Sequence, residues 1–159
     1  MTKTLTISLT CFLILGFVEQ SNGQNITNQQ KSMIEKQVDS VFHGMIKAAE
    51  NLEFDKLSKG VNDKYNAGFI TNGSYFTQYD SLINSVKTKS QCVTKQSITI
   101  QKEKITVLSD SIVLLTAFGD TKIDVSSGNS FTAKFYWSFV YEKINNNWKV
   151  IQSHQSSVR

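Results

Sequence analysis

The sequence contains no proline, and no repeat or low-complexity tract interrupts residues 27–159. Nothing in that span marks a linker between domains. It holds two cysteines, Cys11 and Cys92. Cys11 sits inside an N-terminal apolar run, which leaves Cys92 alone in the remainder and excludes an internal disulfide there. No histidine lies near Cys92 in sequence, so it reads as a small buried apolar residue rather than a nucleophile. Arginine is missing until Arg159, although arginine is the residue preferred for bidentate phosphate recognition. The formal charge of +4 comes from lysines spread along the chain. That pattern is a solvated basic face, and nucleic acid is not an expected partner. Zinc-type ligand spacing, a glycine-rich phosphate loop and a nucleophile elbow are all lacking. Neither a metal nor an organic cofactor is therefore expected.

What is present begins with "MTKTLTISLTCFLILGFVEQSNG". Lys3 precedes an apolar run from Leu5 to Val18, and Ser21 and Gly23 are the small residues of a cleavage site before Gln24. This pattern is that of a secretory signal peptide, with an apolar stretch short for a membrane span. The expected organisation is a signal peptide over 1–23 and one domain over 24–159, exported to the periplasm or secreted. No second apolar run is long enough to hold that domain in a bilayer. Asn25-Ile-Thr27 and Asn72-Gly-Ser74 match glycosylation acceptors, a short motif that often arises by chance.

Beyond the leader, the first half reads helical and the second half as strands. This segregation predicts an α+β domain with helices on one face of an antiparallel sheet. Ile34, Val38, Val41, Phe42, Met45 and Ala49 recur at spacings of three and four, predicting a helix over 28–50 capped by Thr27 or Asn28. His43 lies off that stripe and reads as surface. A second short helix is expected at 54–57, and a third in "YDSLINSVK". Gly68 and Asn72-Gly73 supply turn signals between them. Four alternating strands follow, at 95–108, 112–126, 130–144 and 147–157, separated by turn residues.

Strand parity then predicts an inside. In "FTAKFYWSFVYEK" the odd positions, Phe131 to Tyr141, are the apolar ones and should face the core. A two-residue turn at Asn145-Asn146 points Trp148, Val150, Gln152 and His154 inward on the last strand. A turn at Ser127-Gly128 points Leu114, Thr116, Phe118 and Asp120 inward on the preceding one. The inner face would grade from an apolar end to a polar end formed by Asp120, Gln152 and His154, bordered by Phe118 and Trp137. An apolar floor with a few convergent polar groups is what a small-molecule pocket needs. Tyr75, after Asn72-Gly73, would stand at the mouth.

"NNNWKVIQSHQS", with Trp148, His154 and Ser156, resembles the closing turn and strand of the nuclear-transport-factor-2-like (NTF2-like) superfamily, in particular its SnoaL-like and DUF4440-type domains. These are similar in turn to the calcium/calmodulin-dependent kinase association domain. "FDKLSKGVNDKYNAGFITNGSYFTQYDSL" and "ITVLSDSIVLLTAFG" resemble further elements of the same family. The resemblance implies a cone: a curved antiparallel sheet wrapped around a long N-terminal helix plus two short ones. It also implies homodimers through the outer sheet face, here Tyr136, Ser138, Val140, Ile151 and Ser153. Gln152 departs from the His-x-His of several relatives, which argues against a two-histidine or metal site. Three functions follow. The leading one is an exported domain binding a small apolar molecule at Tyr75, Phe118, Asp120, Trp137, Gln152 and His154. The second is an isomerase-like enzyme on a small carbonyl compound, with Asp120 and His154 as candidate catalytic groups. The third is a homodimeric interaction module with its cavity closed by side chains.

Overall fold

The computed structural model describes residues 26–158. The signal-peptide reading of residues 1–23 lies outside them. Helix α1 spans Asn28–Glu50. Its start is fixed by a capping box, in which Thr27 Oγ1 accepts from the Gln30 backbone N–H and Gln30 Oε1 accepts from that of Thr27. Its stripe buries Ile34, Val38 and Phe42. Helix α2 (Phe54–Lys59) precedes a short hairpin of β1 (Phe69–Thr71) and β2 (Ser74–Phe76), and α3 (Tyr79–Lys89) follows it. Four long strands complete the chain: β3 (Val93–Val107), β4 (Ile112–Val125), β5 (Ser130–Ile144) and β6 (Asn147–Val158).

The sheet order is β2-β1-β6-β5-β4-β3. The expected meander β3 to β6 is present, and the α+β cone is as expected. One pairing adds to it. β1 runs parallel to β6, with Ile70 beside His154, so the six-stranded sheet is mixed. α1 lies in the concave face. Phe42 meets Phe139 at 5.8 Å between ring centroids, and the Tyr141 hydroxyl donates to Met45 Sδ at 3.7 Å. Phe42, Phe69, Phe135 and Tyr141 are fully buried. Each such side chain contributes about 1.5–3 kcal/mol relative to exposure.

Three local features set which residues face this core. Asn145 and Asn146 both have positive φ (49° and 61°) and form the expected two-residue turn, with Ile144 opposite Asn147. The β4–β5 connection is different. Gly128 (φ 83°) donates to the Val125 carbonyl, and Val125 donates to that of Asn129. The result is a three-residue loop closed by a left-handed glycine, not a two-residue turn. Asp124 consequently pairs with Ser130, and Phe131 with Ile123. That one-residue change turns Val113, Leu115, Ala117 and Gly119 inward, and Leu114, Thr116, Phe118 and Asp120 outward.

The third feature is a bulge in β6. Val140 pairs with Gln152 but Tyr141 pairs with Val150, leaving Ile151 as the extra residue. Trp148 and Val150 face inward as expected. Beyond the bulge the parity inverts, so Ser153 is buried and His154 is exposed. Cys92 also departs from expectation. It is exposed, because it sits in the turn between α3 and β3 rather than in a strand.

Candidate functional site

The six residues expected to line one pocket are dispersed. Trp137 faces inward, stacked on Phe135 at 3.9 Å and edge-on to Phe139, opposite Ala117 and Gln155. Phe118 is on the outer face, stacked on Tyr136 at 6.2 Å. Asp120 is on the same face, opposite Lys134, and accepts from Gln101 Nε2. Gln152 pairs with outward Val140, and His154 with outward Ser138. Tyr75 lies on β2, 62% exposed, with its ring over Gly68 so closely that a Cβ there would come within 2.4 Å of it. Asp120 and His154 cannot act as a pair. Their partners Lys134 and Ser138 are four residues apart on β5, about 13 Å along the strand, and two strand spacings of about 4.8 Å lie between β4 and β6. The loop length and the bulge, neither visible in strand parity, cause both reversals. Of the outer-face residues expected at a dimer contact, Ser153 is instead buried.

Side chains converge along one flank of α1 instead. The Asn145-Asn146 turn sets Lys143 and Trp148 opposite each other on the inner face. Trp148 is 5% exposed, and its indole N–H donates to Gln37 Oε1 at 3.0 Å. Lys143 Nζ stands 5.9 Å over the Trp148 ring, within cation–π range. Two adjoining clefts open here and share Gln37 and Lys143. One, of about 460 Å³, continues along Gln30, Met33 and Ile34 to Asp110. The other, of about 580 Å³, runs past Ser40, Val41 and Asn147 to Trp148. Their walls combine apolar side chains with amide, hydroxyl and ammonium groups and, at Asp110, a carboxylate. The sequence reading does not point to this place: strand counting puts Trp148 at the apolar end of the inner face, and Lys143 and Gln37 carry no expectation.

A second constellation lies on the opposite flank of α1, against edge strand β3. Asp39 and His43 are four residues apart and so share a helix face. His43 Nε2 is 3.5 Å from Asp39 Oδ1 and 3.2 Å from Glu103 Oε2. A β3 irregularity between Ile100 and Lys102 turns Glu103 inward, opposite Ala117. Burial pushes the Glu103 carboxyl above its usual range. The neighbouring Asp39 adds to this, and His43 partly offsets it. Among the described residues, this is where three side chains of metal-ligand type meet, with one ligand atom of each within 4.8 Å of the others. His43 is half-exposed, as expected for a surface position, but it is not isolated. Glu103 could not be read from sequence, because its facing depends on the bulge.

Residues 38–159 match the family model of the SnoaL-like domain. Comparison with curated proteins finds no match. Solved structures are similar throughout the fold. A candidate scytalone dehydratase from Novosphingobium aromaticivorans superposes with a TM-score of 0.76 at 7% identity, over 84% of this chain and 89% of that one. An NTF2-like superfamily protein from Salmonella enterica gives 0.72 at 12% identity, over 81% and 94%. A hexachlorocyclohexane dehydrochlorinase from Novosphingobium barchaimii gives 0.69 at 12% identity, over 84% and 92%. At these identities the likeness is one of fold. The family match covers most of the chain, and with the cone-shaped architecture it follows that this protein belongs to the SnoaL-like domain family of the NTF2-like superfamily.

Proposed function

We propose that the protein is an exported SnoaL-like domain that binds a small molecule in the double cleft along α1. One observation carries this reading: the two clefts meet at Gln37 and Lys143 beside a nearly buried tryptophan. Their sizes fall within the range of about 300–1,000 Å³ typical of ligand sites. The lining favours an amphipathic molecule. Its apolar body would lie along Met33, Ile34 and Val41, and its polar or anionic group would face the Lys143 ammonium. That differs from the small apolar molecule expected from sequence. The isomerase reading loses its support, since Asp120 and His154 lie apart on the outer face.

A thermal-shift screen of small carboxylates and polar aromatics on residues 24–159 tests the proposal. Hits should lose their shift in Lys143→Ala and Gln37→Ala and keep it in His154→Ala. Hits insensitive to Lys143 and Gln37 would refute the site. The outer face supports a homodimer independently, because Phe118 and Tyr136 form an exposed stacked pair there. Sedimentation of Tyr136→Glu should then give a monomer where the unmodified chain gives a dimer. The export part of the proposal rests on the leader pattern alone, and detection of a mature chain beginning at Gln24 would test it.

A further inference from the structure

We propose that Asp39, His43 and Glu103 bind a divalent transition-metal ion of the zinc type at the seam between α1 and edge strand β3. Zinc bonds to imidazole nitrogen and carboxylate oxygen are about 2.0–2.2 Å long, so neighbouring donors in a tetrahedral site stand roughly 3.4 Å apart. His43 Nε2 already lies 3.2 Å from Glu103 Oε2 and 3.5 Å from Asp39 Oδ1. The remaining separation, at most 4.8 Å, closes by rotation of a carboxylate.

Three further features favour a cation over a plain ion pair. Glu103 Oε2 is shut off from solvent, 3.2 Å from the His43 imidazole and beside the Asp39 carboxyl. Burying one carboxylate beside a second is costly, and an inner-sphere bond to a cation offsets that cost. The cluster holds two carboxylates against one imidazole, so a doubly charged ion balances it with His43 neutral. The donors also come from rigid elements: two from successive turns of one helix face, the third from the long β3 strand. Asp39 and His43 are about half exposed, leaving solvent access for a fourth ligand, a water. An ion here would tie the edge strand to the central helix, on the flank of α1 away from the cleft.

Isothermal titration of chelator-treated residues 24–159 with zinc chloride tests this. The expected result is one ion per chain and a raised Tm that a chelator reverses. Glu103→Gln and His43→Gln should each weaken binding by on the order of tenfold or more, since each removes one of three ligands. His154→Ala, which removes the chain's other histidine, should leave it unchanged. Equal binding by His43→Gln and the unmodified chain, or no saturable binding below millimolar zinc, would overturn the proposal and leave an ion pair only. Circular dichroism of both variants in chelator checks that they fold.

Discussion

Exchanging Ser153 for leucine should destabilise the domain far more than the same exchange at its neighbour His154. Ser153 is 1% exposed, directly opposite Phe139 and beside Phe69 of the parallel strand. Leucine adds apolar area but needs room that these two rings already fill. Overpacking of this kind costs about 1–3 kcal/mol. For a domain of this size each kcal/mol moves Tm by about 3–4 °C, so the drop should be roughly 3–12 °C. At His154 the side chain points into solvent, and the change should stay within about 0.5 kcal/mol, or 2 °C. Thermal unfolding of both variants by circular dichroism makes the comparison. A larger loss at His154 than at Ser153 would mean that the β6 bulge is absent and that strand parity runs unbroken to the chain's end.

Two more perturbations bear on the same architecture. Gly119→Ala should strongly destabilise or abolish folding, since its Cβ would lie 1.9 Å from the Thr99 carbonyl oxygen and 2.9 Å from the Phe135 ring; a soluble variant with unchanged Tm would contradict the tight curvature between β3 and β4. The second concerns pH. Glu103 faces Asp39 and His43 on α1 and lies near Tyr141 on β5, and its carboxyl is raised above the ordinary 4.5 chiefly by burial. The folded state therefore holds this proton more tightly than the unfolded one, and the associated stability is lost as pH rises through the raised value. On a His43→Gln background with chelator present, Tm relative to the Glu103→Gln double variant should fall as pH rises from about 4.5. A flat or rising difference would refute the assignment.

Most of the architecture was legible in the chain, and the reasons are local. Thr27 and the three-and-four spacing from Ile34 marked α1, and Asn145-Asn146 marked the last hairpin with its register. The site was not legible, because facing along a strand depends on every insertion before it. Gly128 closes a three-residue loop where two residues would also have fitted the composition. Ile151 bulges without any glycine or proline to announce it. Each event shifts parity by one, and together they moved Asp120 and His154 from inside to outside. The outward turn of His154 has a compensating feature, since Ser153 and Gln155 take the inner positions, with Gln155 Nε2 donating to Ser153 Oγ at 3.4 Å. Glu103 was hidden by the same kind of irregularity on β3. The Asp39–His43 pair was readable at helical spacing but had no visible partner.

The two tryptophans separate the cleft from the pocket that strand parity predicts, since each contributes one indole N–H signal to a nitrogen–proton correlation spectrum. Trp148 borders the cleft and donates to Gln37, whereas Trp137 marks the inner face between Phe135 and Phe139. With the two signals assigned by Trp148→Phe and Trp137→Phe, titration with a screened ligand should move the Trp148 indole signal and leave that of Trp137 in place. Movement of Trp137 with Trp148 unchanged would put the ligand inside the cone and contradict the assignment of the site.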